Sequence, residues 1–336
     1  MKHLKKHIIT IIILYISNIF AYSQTTISHT SYECIGDNRE YFSPYGFPQT
    51  ILGSRISQDF IIQTDSLHSI TLGGKYLLIH GANQFANTPV ITAMYTYSNN
   101  YVTFKTGSFP MQRNMFPLAM YTDSLYYFRP NMQGALVSYS NKMGFWNIEE
   151  TGIFDWLLQE NYGANESFLA GISGTLWYKN VFNKHYYYYR HHATDTPTGN
   201  KAVEDNGCVL LTLGYATHTP ITLSYEIGKL ITWQELRGSM EKYSGGLFTQ
   251  ATISYNRLKA DATYYFGDPT YLPLGDPLYR SGNYARINTS LEFLKSKHVQ
   301  GIFSFCTHII AHEINFSQQL SILVNIDTCQ VSQGCL

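Results

Sequence analysis

Residues 314–326 read INFSQQLSILVNI. Ile314, Phe316, Leu320, Ile322, Val324 and Ile326 share one parity, broken only by Gln318. The opposite parity holds Asn315, Ser317, Gln319, Ser321 and Asn325, with Leu323 as the exception. Successive side chains of a strand point to opposite faces, so this segment has one greasy face and one polar face.

Working upstream, Leu247–Tyr255 and Leu258–Phe266 are separated by Asn256-Arg257. A two-residue turn would pair Tyr255 with Leu258, Ile253 with Ala260, Ala251 with Ala262 and Leu247 with Phe266. Ser254 would then meet Lys259, Thr252 would meet Asp261, and Gln250 would meet Thr263. Register must preserve faces, and here it does along the whole hairpin. Asn-Arg is not the favoured Asn-Gly turn, so the turn type stays open. Ala285, Ile287, Leu291 and Phe293 against Tyr284, Arg286, Asn288, Ser290 and Glu292 repeat the pattern. So many polar groups on one face are too many for a packed core and fit a water-filled or polar-plugged lumen.

Composition agrees. Charged residues are 14% of the chain, against a usual value of about 25%, and aromatics are 15%, led by 28 tyrosines. That balance suits a wall that faces lipid between two aromatic girdles. After the N-terminal stretch no run of about 18 apolar residues occurs, which excludes helical spans. The formal net charge is zero and no basic cluster follows the N-terminal stretch, which argues against a nucleic-acid partner.

The N-terminus has the three parts of an export signal. Lys2, Lys5 and Lys6 form a basic head, Ile8–Phe20 an apolar run, and Ala21-Tyr22-Ser23 a small-residue cleavage site. Residues 1–23 are therefore read as a signal peptide and 24–55 as a periplasmic or plug-like leader. Residues 56–326 are the barrel and 327–336 a polar tail. The fold expected is all-β, an antiparallel up-and-down transmembrane barrel of about 14 strands, with 16 as the alternative if part of the leader joins. Placing the C-terminus in the periplasm puts the long loops outside. The location implied is the outer membrane of a Gram-negative bacterium. Cys34, Cys208, Cys306, Cys329 and Cys335 are an odd set in an oxidising compartment; Cys329 and Cys335 could close a small loop, or all could be free thiols.

Several stretches carry a resemblance: GSRISQDFIIQTDSLHSITLGGKYL at 53–77, FPLAMYTDSLYYFRPNMQGALVSY at 116–139, ESFLAGISGTLWYKN at 166–180, GDPLYRSGNYARI at 275–287 and the last strand itself. They resemble a family of outer-membrane barrels from Bacteroides-type bacteria. The resemblance implies a porin-like location and carries over no catalytic residues.

Candidate chemistry divides by face. Lys259, Asp261, Tyr265, Arg286 and Glu292 are expected to line the lumen. Minimal-offset pairing would bring Lys259 near Glu292 and Tyr265 near Arg286. Arg113 and Arg129, in the apolar 109–130 loop, are the constriction candidates if that loop folds inward rather than over the rim. In the run His185–His192, four successive tyrosines must point alternately out, to a girdle, and in, where rings could stack on sugars. His308 and His312 invite a metal reading, but on a strand four residues span about 13 Å, too far for one ion. No metal or cofactor is expected. No specific Ser–His constellation stands out among 12 histidines, so the reading predicts no enzyme. The function expected is a porin-like barrel passing small solutes by diffusion or a gated passage. The alternatives are a filled structural or surface-binding barrel and, behind it, an outer-membrane enzyme. Partners expected are outer-membrane lipid, the barrel-assembly machinery and a small solute or sugar.

Overall fold

The computed structural model describes residues 25–82, 88–157, 164–195, 201–217, 219–237, 240–310 and 312–331. The expected signal peptide lies outside them, as does Cys335. Alternation becomes strand throughout: β1 (Thr25–Glu40), β2 (Gln49–Gln63), β3 (His68–Ile79) and β4 (Val90–Ser98) come first. β5 (Val102–Pro110), β6 (Asn131–Met143), β7 (Trp146–Trp156) and β8 (Ala164–Tyr178) follow. Then come β9 (Val181–Asp195), β10 (Lys201–Ala216), β11 (Ile221–Leu236) and β12 (Met240–Tyr255). β13 (Leu258–Gly267), β14 (Asn283–Lys295), β15 (Val299–Ile310) and β16 (Glu313–Val331) end the chain. Each strand pairs with its sequence neighbours, and β1 pairs antiparallel with β16 from Thr25↔Val331 to Glu40↔Phe316, closing the barrel. Closure removes the free sheet edges that membrane interiors do not tolerate.

The count is therefore sixteen, the alternative, and not fourteen. The stretch 24–55, read as a leader, forms β1 and the first half of β2. β1 was hard to see because its outward positions Ser28, Thr30, Cys34, Gly36 and Asn38 carry little apolar signal, Tyr32 being the large ring among them. Neighbours satisfy the polar ones sideways: the Thr30 hydroxyl donates to Gln58 Oε1 at 2.6 Å and Thr50 donates to Asn38 Oδ1 at 2.7 Å. The tail also differs, since β16 runs on to Val331 to match the start of β1.

Every connection longer than four residues lies at one rim, and every connection at the other rim has four or fewer. The Asn256-Arg257 turn pairs Tyr255 with Leu258 as read, with Asn256 at φ 53°, a left-handed conformation that Asn tolerates. The outer wall carries the apolar parity: Leu213 is 60% exposed, Ile287 50% and Ile326 52%. Trp146, Tyr178 and Tyr255 ring the short-turn end, and Phe154, Trp156, Tyr243 and Phe266 the loop end.

The interior divides by height. At the loop end, residues 111–130 fold into the lumen, so that Met115, Phe116, Met120 and Tyr121 pack against Leu136, Leu169, Tyr188 and Leu210 of the wall. The 268–282 connection joins them through Leu272, Leu278 and Tyr279. Backbone bonds lock the two connections together: Thr122 N–H donates to Leu274 O and Asp276 N–H to Leu118 O. Toward the short turns the inward positions open to water, as exposed Lys259 and Gln300 show.

Candidate functional site

All five lumen candidates have inward parity, but most are engaged. Arg286 donates to Asp261 Oδ2 at 2.6 Å, and Asn288 to Asp261 Oδ1 at 3.0 Å. Tyr265 is fully buried, its hydroxyl donating to Asp268 O at 2.7 Å. Glu292 takes Lys295 at 2.8 Å and Gln300 at 2.7 Å near the short-turn end. β13 and β14 pair Lys259 with Ser290 and Tyr265 with Tyr284, two residues away from the expected partners, because a long connection does not fix register. Arg113 donates to Glu33 Oε1 at 2.9 Å and Arg129 to Asp155 Oδ1 at 2.7 Å. Together with Arg39 to Asp123 at 3.0 Å and Arg55 to the Tyr126 carbonyl at 2.8 Å, these bonds moor the inward loop.

One hydroxyl–histidine pair lies inside this plug. Ser317 Oγ is 3.2 Å from His308 Nε2, and His308 Nδ1 meets the Tyr284 hydroxyl at 2.7 Å. Arg39, Asp123, Asp276 and Arg286 surround it. Burial pushes the loop carboxyl Asp276 up to about 6. The cavity there measures about 20 Å³, roughly the space of one water. Nothing larger than a water fits in that volume. His312, the other half of the metal reading, sits in the exposed turn.

The second constellation faces outward. On β9 the odd residues point away from the lumen, so Tyr187, Tyr189 and His191 climb the outer wall toward the loop rim while Tyr186 and Tyr188 point in. Strand register sets His191 between Phe168 of β8 and Asp205 of β10. The ring stacks on Phe168 with centroids 5.1 Å apart. His191 Nδ1 is 2.7 Å from Asp205 Oδ1, and Nε2 is 3.2 Å from Glu166 Oε1. Asp205 also accepts from the Tyr189 hydroxyl at 2.7 Å and from Arg237 Nε at 2.8 Å. Three donors therefore hold one carboxylate, which in turn orients the imidazole. His191 and Asp205 are themselves 7% and 4% exposed, while Glu166 and Arg237 at their edge remain open, their side chains 51% and 55% exposed.

Below this cluster the wall is aromatic. The next row reads Ala170, Tyr189, Gly207 and Trp233 across four strands. Gly207 is required there: a Cβ would lie 1.8 Å from Trp233 Cζ2, so the indole lies flat on the barrel. Trp156 stacks on Phe168 at 6.2 Å. A carboxylate–histidine dyad thus sits where an apolar wall meets the loop rim. Sequence reading had singled out the His185–His192 run for its rings alone. Glu166 comes from β8, Asp205 from β10 and Arg237 from the turn after β11, and none had a signal of its own.

Fold and site together define a closed outer-membrane β-barrel with a carboxylate–histidine cluster on its outer wall. The match to known barrels is one of fold. The loop-deleted OmpT of Vibrio cholerae is 9% identical with a TM-score of 0.57, covering 90% of this chain and all of that one. An anion-selective porin from Comamonas acidovorans is 11% identical with a TM-score of 0.56 over the same shares. Salmonella typhi OmpF in complex with daunomycin is 9% identical with a TM-score of 0.51, over 89% and 97%. No curated protein sequence matches. The chain belongs to the Lipid A 3'-O-deacylase-type family, whose model matches residues 32–335. This family is one of enzymes, and its match overturns the expectation of no enzymatic activity.

Proposed function

We propose that the protein hydrolyses an acyl ester of a lipid in the outer leaflet, lipid A being the substrate its family name indicates, with His191 as the general base. The observation that carries this reading is the His191–Asp205 dyad on the outer wall at the loop rim. A membrane lipid can lay its headgroup there and its chains on the aromatic wall below, without leaving the bilayer. The interior Ser317–His308 pair offers no such path.

Asp205 accepts a hydrogen bond from Nδ1–H, the arrangement in which a carboxylate fixes the tautomer of a catalytic histidine. In this structure Nε2 faces the Glu166 carboxylate, which can only accept from it; Nε2 serves as the base once substrate displaces the half-exposed Glu166. In this reading the nucleophile is water. Its oxygen attacks the ester carbonyl carbon as its proton passes to Nε2. The ester C–O bond then breaks, and the departing alkoxide takes that proton back. The products are a fatty acid and a lipid alcohol, with no other reactant consumed. Arg237 offers its exposed guanidinium to an anionic headgroup or to the developing oxyanion.

The interior supports the filled-barrel alternative over a diffusion pore, because an apolar cluster spans the lumen at the loop end. The test is expression in a Gram-negative host with mass spectrometry of its lipid A. Loss of one acyl chain is expected. His191→Gln should reduce it by about 10²–10⁴-fold, the usual contribution of a general base, while His308→Gln should leave it intact. Activity surviving in His191→Gln would reject the site. No change in the lipid with the intact protein would reject the substrate.

A further inference from the structure

Two tight turns at the short-turn rim border a cavity. Gly144 and Phe145 join β6 to β7, and Lys179 and Asn180 join β8 to β9. The Lys179 N–H donates to Phe145 O at 3.1 Å, which holds the two turns side by side. Trp146 opposes Tyr178 in register, with ring centres 4.8 Å apart. On the other parity Asn147 lies between Lys142 of β6 and Trp177 of β8. Lys142, Phe145, Trp146, Asn147, Trp177 and Lys179 line a cavity of about 390 Å³. The space beside His308 holds about 20 Å³, so the rim cavity has room for a chemical group and the interior one only for a water. Lys179 Nζ lies 4.7 Å from the centre of the Phe145 ring and 5.6 Å from that of Tyr178, and the ring faces hold the ammonium at the rim. The lining carries two ammonium groups and no carboxylate. Glu149, one step further along the inner face, accepts from the Asn147 amide at 2.9 Å and lies outside that lining.

We propose that this cavity seats the phosphate of an anionic phospholipid from the periplasmic leaflet. Short turns of such barrels face the periplasm, so the rim stands at the level of that leaflet's headgroups. Tryptophan and tyrosine concentrate at this depth, and lysine stems lie along apolar surface while their ammonium groups reach the phosphates. A zwitterionic headgroup brings its own cation, for which the lining offers no carboxylate. A phosphatidylglycerol headgroup keeps its net negative charge and meets both lysines. The site lies at the opposite rim from the His191 cluster and does not depend on the reading of that cluster.

The test uses the full chain in phosphatidylcholine bilayers, with tryptophan fluorescence as the readout. Trp156→Phe with Trp233→Phe leaves Trp146 and Trp177 as reporters at the short-turn rim. Phosphatidylglycerol brominated in its acyl chains should quench them with an apparent affinity about tenfold above that of brominated phosphatidylcholine. Lys142→Gln and Lys179→Asn should each lower this preference about fivefold, the usual effect of one lysine at an anionic surface. Asparagine is chosen at 179 because the backbone there has φ 53°, a left-handed conformation that Asn tolerates. Trp146→Phe with Trp177→Phe leaves the loop-rim tryptophans as reporters, and these should show no such preference. The heat-modifiable band in cold gels checks that each variant is folded. No preference at the short-turn reporters, an equal preference at both rims, or a preference unchanged in both lysine variants would overturn the site. Relief of the quenching by millimolar inorganic phosphate would make it a free-anion site and overturn the lipid assignment.

Discussion

Arg286 and Ile287 are consecutive in the chain and meet different surroundings. Ile287 is half exposed on the outer wall, so Ile287→Arg places a charge in hydrocarbon, at a cost of about 2–4 kcal/mol at the bilayer midplane. Loss of the heat-modifiable band in cold gels should report the failed assembly. Parity alone also suggested that Arg286→Glu would be harmless in a wet lumen. The salt bridge to Asp261, with side chains 17% and 9% exposed, reverses that expectation. The variant sets two carboxylates together and removes a buried partner, a loss of roughly 3–5 kcal/mol. Arg286→Glu with Asp261→Arg should recover most of it in the same gel assay; failure to recover would mean the pair is not the source of the cost. At the outer cluster, Asp205→Asn should retain assembly and lower deacylation, because the neutral amide no longer favours the required tautomer. Equal activity in that variant would remove Asp205 from its orienting role.

At the scale of elements, strands carry their own signature and connections do not. β13 and β12 pair as the sequence pattern required because a two-residue turn permits only one register that keeps faces together. β13 and β14 pair two residues away from expectation because fifteen or so residues between them impose nothing of the kind. β1 was legible only as an alternative, since a seam strand whose outward side chains, Tyr32 apart, are small and polar alternates weakly. Topology gives a test at this scale. An epitope in the 41–48 connection, where Phe42 and Phe47 are 70% and 68% exposed, should be reached by antibody on intact cells, and one at Asn256-Arg257 should not. Labelling at Asn256 would invert the barrel. Thr270, a natural choice for a tag by sequence, is 2% exposed in the inward-folded connection and would disturb the plug instead; Thr198 lies outside the described residues.

Over the whole molecule, the two inward connections fill the loop end of the barrel with an apolar cluster among the described residues. Purified protein in planar bilayers should therefore show no steady conductance of porin size. Replacing residues 114–124 with a short Gly-Ser bridge should open one, since Phe116, Met120 and Tyr121 leave the lumen with them. Steady conductance in the intact protein would instead mean that the plug moves aside. The sequence by itself determined the barrel class, the inward and outward faces and the lipid-facing belt, because period-two alternation is a local property that survives any register. The strand count at the seam, the plug and the outer-wall dyad were decided only by tertiary structure. His191, Glu166 and Asp205 belong to three strands and Arg237 to the turn after a fourth, and nothing in one dimension ties them together. Closure of the sheet sets which rows align, and that alignment places the Asp205 carboxylate beside His191 on the outer wall near the loop rim.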